Sequence, residues 1–402
     1  MKENSLQTRE DASPYPFSYH CIYFSTSVHP DKCKSPTPAT FLPYLFYHTF
    51  SCTRTSSLWM VRHKGIPSST VGRNARAPVD GATDRFGFFV TAEEKRMDDE
   101  CLRVYAEKKS VQNMWSKALT RWDNCPHDRR KELCRLGIPQ SQRQTIWPLL
   151  LMTYGWKDEN CEDYQLLMAQ QPQDKSIFDV IERDLGRTFP THRMFFKANG
   201  EGQKKLRRIL RTYVNHNPDI GYVQGMGFIA ATLLLQIGDE ESTFRALVSV
   251  MENPKYNLAK LYAPGFPCMF ARLYQLQKLL ERHYAALFNK LVTYKIELSL
   301  FASNWYLTLF SYHLNFRLLS RIWDMFLCEG WKIIHRVAVA LLLLHRDAID
   351  GVRDESQLIM ALQSAHEGKD EAEILKKALS IKVKTARLLR WEKEFNLLRS
   401  NR

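Results

Sequence analysis

The sequence predicts an all-α protein, and three observations carry that prediction. From Thr83 onward, apolar residues recur at the three- and four-residue spacing of helices. No segment of strand length alternates apolar and polar residues, so a sheet is not expected. No unit of about 30–45 residues repeats along the chain, which argues against a helical solenoid. With 45% hydrophobic and 25% charged residues, the 402-residue chain is able to bury a sizeable core.

Turn and capping signals set the expected helix boundaries. Gly137 is placed to end a helix, and Pro148 predicts a kink or an early end in the next one. Pro218-Asp219 is expected to start a helix. The polar stretch 157–175 is expected to be mostly a loop. The predicted helices span about 92–122, 127–135, 140–153, 176–185, 200–214, from 218 onward, 240–252, 269–282, 283–299, 302–313, 316–328, 331–350, 355–364 and 370–400.

Residues 1–82 differ in kind from the rest of the chain. They are rich in Ser, Thr, Pro and aromatic residues but show neither helical nor strand periodicity. Two interpretations remain open: a disordered N-terminal extension, or a start of translation at Met60, which would leave 1–59 outside the native product. The remaining sequence divides into a helical N-terminal flank, a main domain, and C-terminal helices with a basic tail, over 83–136, 137–350 and 351–402.

The formal net charge of +14 is compatible with nucleic acid, an anionic membrane or an acidic protein as partner. The sequence carries no RNA-binding signature, no paired-cysteine zinc spacing and no basic zipper, so nucleic acid is not the expected partner. The nine cysteines form no CxxC pair, which is typical of reduced thiols in the cytosol. No apolar run approaches the ~18–20 residues that span a bilayer. We therefore expect a cytoplasmic protein without a transmembrane segment.

Two short phrases in the middle of the chain combine polar chemistry with a helical pattern. IERDLGRTFP, at 181–190, carries Arg187, and GYVQGM, at 221–226, carries Gln224. An arginine and a glutamine are the side chains that GTP hydrolysis by a GTPase needs beyond its phosphate loop and Mg²⁺. The sequence contains no phosphate loop of its own. Such chemistry would therefore act on a nucleotide that another protein holds.

Two further phrases complete a resemblance to a known family. GIPQSQRQTIW lies at 137–147 and NWYLTLFSYHLNFRLLSRIWDMFLCEG at 304–330. With them, residues 137–345 resemble a TBC domain, the helical catalytic domain of Rab GTPase-activating proteins. The four phrases occur in the family's order, and the span they bracket covers about half the chain. The resemblance implies a multi-helix fold made of two helical subdomains.

The resemblance also implies that Arg187 is an arginine finger and Gln224 a glutamine finger, both supplied in trans. A planar guanidinium neutralises the charge that develops on phosphate oxygens during phosphoryl transfer. A glutamine amide accepts from an attacking water and donates to a γ-phosphate oxygen. Val223 and Gln144 stand where the family often has Cys and Gly, and neither carries this chemistry.

Three neighbours are expected to support the two fingers. Asp184 lies one turn before Arg187, at a spacing that suits an ion pair with it. Tyr222 is expected either to position Gln224 or touch the partner, or to pack as an ordinary aromatic residue. Gly225 and the nearby glycines at 221 and 227 lie on a predicted helix, where each costs about 1 kcal/mol relative to Ala. Their clustering indicates that another backbone or surface comes near.

Other residues that match the family's phrases are expected to hold the fold. Arg321 and Asp324 have the spacing of a charged pair on one helix, and the tryptophans are expected to be core anchors. The set comprises Arg143, Trp147, Trp305, Arg321, Trp323 and Asp324.

The leading hypothesis is a GTPase-activating protein for a Rab-family GTPase in its GTP form. The partner would hold GTP and Mg²⁺, so the chain itself would need no cofactor and would have no stand-alone hydrolase activity. The alternative is a non-catalytic Rab-binding scaffold that uses the same surface. The basic 204–211 helix and the tail beyond 371 leave open whether the protein associates peripherally with endomembranes or simply exposes solvated charges. The sequence does not identify which Rab is bound.

Overall fold

The computed structural model describes residues 81–104, 109–153, 164–171 and 176–400. The expectations for the N-terminal extension therefore concern residues that lie almost entirely outside the described ranges. Within these ranges the regular elements are helices. Two isolated antiparallel β-bridges pair Thr83 with Phe89 and Phe88 with His192. The prediction of an all-α fold is confirmed.

The first nine helices run from the N-terminal flank to the centre of the main domain. They are α1 Ala92–Val104, α2 Lys109–Leu119, α3 His127–Leu136, α4 Gln140–Leu150, α5 Tyr164–Ala169, α6 Ser176–Leu185, α7 Glu201–His216, α8 Met226–Ile237 and α9 Glu240–Glu252. The other ten are α10 Leu258–Tyr262, α11 Pro267–His283, α12 Ala285–Thr293, α13 Ser299–Leu307, α14 Phe316–Glu329, α15 Trp331–Leu344, α16 Arg346–Asp350, α17 Glu355–Gln363, α18 Glu371–Ser380 and α19 Thr385–Ser400.

Helix α8 is the centre of the first group of helices. All its residues except Leu235 are buried, as expected of a helix that is apolar on every side. It packs against α4, α6, α7 and α9, and α7 in turn packs against α5 and α6. The helix that follows the glutamine phrase is thus anchored in the core, and α6, which carries the arginine phrase at its end, lies against it.

Helix α15 plays the same part among the later helices. It packs against α11, α14 and α18, and α19 lies along α11. Helix α14 links the two groups because it also packs on α3 and α4. The described helices therefore form a continuous core.

A buried ion pair joins α4 to α14. The Arg143 guanidinium donates from Nε and Nη2 to the two carboxylate oxygens of Asp324, each at 3.0 Å. Asp324 also accepts from the Trp147 indole at 2.9 Å and from the Ile138 amide at 3.1 Å. The prediction of an Arg321–Asp324 pair is wrong, because the donors to Asp324 are Ile138, Arg143 and Trp147. Arg321 donates to the carbonyl oxygens of Arg135 and Leu136 instead.

Several expected boundaries are confirmed. Helix α6 spans Ser176–Leu185 within the described residues and ends next to Gly186, as expected. Gly137 ends α3 with φ +114°, and α9 spans 240–252 with an Asp239 cap whose side chain accepts from Ser242 N. Helix α4 ends at Leu150, close to the early end expected from Pro148.

Other boundaries are wrong, and left-handed backbone or short turns explain most of them. Leu309 and Phe310 both have positive φ, so the helix expected over 302–313 ends at Leu307. Lys295, with φ +54°, lies beyond the end of α12 at Thr293, short of the expected 299. The helices expected over 331–350 and 370–400 are each broken, at His345 and at residues 381–384. Two short helices, α5 within the expected loop and α10, were not predicted.

None of the helices in the described ranges is both long enough and apolar enough to cross a membrane. Four cysteines within these ranges are free thiols, at 125, 134, 268 and 328.

Candidate functional site

The Asp184 carboxylate links the arginine phrase to the glutamine phrase. It lies at the end of α6 and is nearly buried, with 6% of its side chain exposed. Its Oδ1 lies 2.5 Å from Nη2 of Arg187. Its Oδ2 accepts from the Tyr222 hydroxyl at 2.7 Å and from the Gly225 amide at 3.3 Å. One acidic side chain therefore holds both phrases in contact.

Arg187 lies in the turn that leaves α6. Its amide donates to the Asp184 carbonyl oxygen at 3.2 Å, and the Thr188 hydroxyl donates to the same oxygen at 2.8 Å. Thr188 is buried, so the turn is anchored on its inner side. The Arg187 side chain is 40% exposed. The ion pair orients its guanidinium, yet a large part of the side chain still faces solvent.

Gln224 lies in a turn rather than on a helix, which corrects the expectation of a helix from Pro218-Asp219. Helix α8 begins only at Met226. Gly221, with φ +60°, and Gly225, with φ +104°, have left-handed backbone that interrupts a right-handed helix. Gln224 is half-buried at the end of this turn, directly before the buried α8.

The close approach that the glycines predict is an approach by the chain itself. A Cβ atom on Gly227 would lie 3.0 Å from the Thr188 hydroxyl and 3.2 Å from the Tyr222 hydroxyl. A Cβ atom on Gly225 would lie 3.4 Å from a methyl carbon of Thr308. The glycines thus allow the start of α8 to pack closely against the arginine turn and against the stretch after α13.

Tyr222 has a defined polar contact. Burial, together with the adjacent Asp184 charge, raises the pKa of the Tyr222 hydroxyl well above its ordinary value. The hydroxyl therefore stays protonated at neutral pH and donates to Asp184. Tyr222 also packs against the core, so a positioning role, exerted through Asp184 and the turn that carries Gln224, stays a prediction.

The sequence did not point to Thr188 and Phe189, which directly follow Arg187. Phe189 has φ +45°, a left-handed conformation that bulky residues rarely adopt. Its ring contacts Phe88 and Phe228, with centroids 5.5 and 5.3 Å away. No local sequence signal marks such a conformation, because it depends on partners about 40 to 100 residues away.

The basic helix α7 is less open than expected. Arg207 and Arg211 both pair with Glu182, at 2.6 and 3.0 Å, and Arg208 pairs with Glu240 at 2.7 Å. The sequence pattern predicts that these three arginines point mostly outward, and in the structure they are half-buried. Lys204 is exposed on the same helix.

Metal ligands do not cluster in the described part of the chain: no group of three or more His, Cys, Asp or Glu residues there is arranged to hold an ion.

Comparisons with known proteins identify relatives of this chain. The family model described as the Rab-GTPase-TBC domain matches residues 140–349. The Drosophila melanogaster ecotropic viral integration site 5 ortholog is 32% identical over 290 residues, which cover 71% of this chain and 34% of that protein. The Rab GTPase-activating protein tbc-11 of Caenorhabditis elegans is 33% identical over 254 residues, 61% of this chain and 26% of that protein. The chain thus spans only about a quarter to a third of these relatives' length.

Among solved structures, the chain is similar to the crystal structure of the Chlamydomonas flagellar RabGAP TBC domain. The TM-score is 0.61 and the identity 26%, over 74% of this chain and 99% of that one. The family match begins at the first residue of α4, includes both the arginine and the glutamine phrases, and extends to α16. The chain therefore belongs to the Rab-GTPase-TBC domain family.

Proposed function

We propose that the chain accelerates GTP hydrolysis by a Rab-family small GTPase, with Arg187 and Gln224 entering the partner's nucleotide site together. The observation that carries the proposal is the contact of one carboxylate, Asp184, with both phrases. Proximity of two catalytic groups on a preorganised scaffold is what lowers a phosphoryl-transfer barrier. The family match and the similarity to a Rab GTPase-activating protein of Caenorhabditis elegans support the same activity.

Arg187 is suited to the charge-neutralising role. A guanidinium has five N–H donors in a planar fork that matches phosphate oxygens. The Arg187 end of its pair with Asp184 is exposed to solvent, which weakens the pair relative to a fully buried one. The partner's triphosphate would therefore compete for the guanidinium at little cost. Asp184 would keep its other two donors, Tyr222 and Gly225, throughout.

Gln224 is suited to orienting the attacking water. Its amide offers both an acceptor and donors, and the turn that carries it is held by the Gly225 amide on Asp184. The GTP and Mg²⁺ would belong to the partner, and recognition would favour its GTP form. The cytoplasmic location and the peripheral association with endomembranes remain predictions.

Single-turnover GTP hydrolysis across a panel of Rab proteins tests the proposal. Arg187→Ala should lower the stimulated rate by about 10³-fold or more, and Gln224→Ala should also abolish most of it. Two exposed residues provide matched controls: Arg183→Ala, on α6, and Gln170→Ala should both retain the wild-type rate.

Stimulation that survives Arg187→Ala would remove the catalytic assignment. A Rab that binds in its GTP form but is never accelerated would favour the scaffold instead.

A further inference from the structure

We propose that residues 82–90, named here the 82–90 hairpin, position the turn that carries Arg187, with Phe88 as the contact residue. The inference rests on the proposed function and extends it to a segment that precedes the family match, which begins at residue 140. None of the hairpin's contacts described below reaches Arg187 itself. The role is positioning, exerted through the residues that follow Arg187.

The hairpin closes on itself around Asp84. The Asp84 carboxylate accepts from the Phe86 and Phe88 amides, each at 2.9 Å. The Val90 amide donates to the Ala82 carbonyl oxygen at 3.1 Å. The segment is therefore a turn that is closed by its own hydrogen bonds.

Backbone hydrogen bonds dock the hairpin onto the stretch just after Arg187. The Phe89 amide donates to the Thr191 carbonyl oxygen at 2.8 Å, and the Arg193 amide donates to the Gly87 carbonyl oxygen at 2.9 Å. Gly87 has φ +97°, and a Cβ atom there would lie 2.8 Å from Nε2 of His192. The docking therefore requires glycine at this position.

His192 adds a side-chain link with a fixed direction. Its Nδ1 accepts from the Met194 amide at 3.0 Å, so Nε2 carries the proton and donates to the Phe86 carbonyl oxygen at 2.8 Å. The ring is buried and neutral in this arrangement. Burial lowers the pKa of His192 to about 4, in agreement with a neutral ring.

Phe88 brings the hairpin against Phe189. The two ring centroids are 5.5 Å apart, edge to face, and the Phe88 ring also lies 5.2 Å from Phe316. Phe189 in turn contacts Phe228, which lies four residues after Gln224, at 5.3 Å. One aromatic cluster thus spans the hairpin, the arginine turn and the helix that follows the glutamine turn.

The left-handed backbone of Phe189 explains why this cluster matters. A bulky residue keeps φ +45° only when its surroundings over-determine it. Phe189 is two residues beyond Arg187, so its backbone sets the direction in which the chain leaves the arginine turn. Removing the Phe88 ring would remove one of the contacts that hold this conformation of Phe189. The Arg187 guanidinium would then move away from its productive position.

The test compares two phenylalanines of the same hairpin in the full chain. Phe88→Ala removes the ring against Phe189, whereas Phe89→Ala removes a ring that packs on Phe196, 5.3 Å away. A small misplacement of a catalytic group costs up to about 100-fold in rate. We expect Phe88→Ala to lower the maximal stimulated rate about 10-fold, with the half-saturating concentration changed less than about two-fold. Phe89→Ala should leave both within about two-fold.

Hydrogen exchange provides a readout that does not depend on activity. Amides of residues 186–189 should exchange faster in Phe88→Ala than in wild type, and Phe89→Ala should leave them unchanged. If Phe88→Ala does not fold, Phe88→Leu replaces it with the same two measurements. Faster exchange in a chain that stimulates no Rab would refute the proposed function and leave the positioning role intact.

Equal rates and equal exchange in the two variants would overturn the positioning role. A rise in the half-saturating concentration without a loss of maximal rate would also overturn it, because that result describes a docking residue.

Discussion

Two arginine–aspartate pairs in this molecule share their chemistry and differ in setting. Arg143 and Asp324 are almost fully buried, with 5% and 0% of their side chains exposed. Arg187 and Asp184 are 40% and 6% exposed. The carboxylate is held by several donors in both pairs. The difference is the arginine, which is enclosed in one pair and open to solvent in the other.

The comparison separates a structural arginine from a functional candidate. An enclosed guanidinium whose donors satisfy a buried carboxylate has no room for a ligand, and losing it leaves a buried charge. A guanidinium tied at one end but open at the other is oriented and still able to exchange partners. Residue type does not distinguish the two cases, whereas exposure does.

The largest expected effect on the hydrolysis rate comes from replacing Arg187, the arginine that is open to solvent. Arg187→Ala should reduce the stimulated hydrolysis rate by about 10³-fold or more, which corresponds to about 4 kcal/mol of transition-state stabilisation. The free energy of unfolding should fall by less than the about 3–5 kcal/mol expected for a fully buried pair, since the guanidinium is partly exposed and Tyr222 and Gly225 still donate to Asp184. Single-turnover kinetics and urea unfolding on one preparation measure the rate loss and the change in the free energy of unfolding. A large loss of stability would make Arg187 a second structural arginine.

The enclosed pair should show the reverse behaviour. Arg143→Ala leaves the Asp324 carboxylate buried and short of its main donor, and breaking such a pair costs about 3–5 kcal/mol. The urea midpoint should fall accordingly, while the rate per folded molecule stays within about two-fold. A folded variant of normal stability that no longer stimulates hydrolysis would contradict the structural assignment.

Tyr222→Phe tests the hydrogen bond that connects the glutamine phrase to Asp184 of the arginine phrase. It removes one donor from Asp184, and a hydrogen bond to a charged group contributes about 1.5–3 kcal/mol. Arg187 and Gly225 still hold the carboxylate, so we expect a rate loss of about 10-fold rather than complete inactivity. Tyr294→Phe, whose hydroxyl donates to the Arg353 carbonyl oxygen far along the chain, is the matched control. Equal rates for both variants would show that Tyr222 is only a packed aromatic.

Lowering the pH should reduce the free energy of unfolding through protonation of His192. Its pKa is about 4 in the folded chain, against about 6.5 when unfolded. The unfolded chain therefore binds the proton first, so the stability linked to His192 is complete above pH 6.5 and declines as pH falls toward 4, by about 3 kcal/mol in all.

His192→Gln should reduce that decline relative to wild type in unfolding measured between pH 7 and pH 4. His127→Gln, at an exposed position, is the control. An identical decline in wild type and His192→Gln would contradict the assignment of a buried neutral ring.

The smallest effect is expected on the basic helix α7. Arg207 and Arg208 are already paired with Glu182 and Glu240, so little uncompensated charge remains to steer an acidic partner. Lys204→Gln with Lys205→Gln should change the association rate constant by less than about two-fold, with an unchanged salt slope. A clearly shallower slope would restore electrostatic steering as a function of this helix.

The sequence predicted the parts of this molecule that depend on local spacing. The all-α fold, the C-terminal end of α6 and the Asp184–Arg187 pair all follow from residues within one or two turns of each other. The expected helix at Pro218 failed because the left-handed backbone of Gly221 and Gly225 outweighs a favourable capping signal.

Contacts between distant residues were beyond this reasoning. Tyr222 is 38 residues from Asp184 in the chain, and Arg143 is 181 residues from Asp324. Any arginine is a plausible partner for an aspartate, so spacing alone wrongly paired Arg321 with Asp324. The contacts of the 82–90 hairpin with the arginine turn depend on the folded backbone in the same way.

Binding to a transition-state mimic tests the central claim most directly. The affinity of the chain for a Rab protein loaded with GDP would be measured with and without aluminium fluoride and Mg²⁺, for wild type, Arg187→Ala and Gln224→Ala. We predict that fluoride strengthens wild-type binding by at least about 100-fold, since transition-state analogues bind 10²–10⁸-fold more tightly than substrates, and that each substitution removes most of that gain. Tight binding of the GTP form together with no response to fluoride would contradict the account and describe a scaffold.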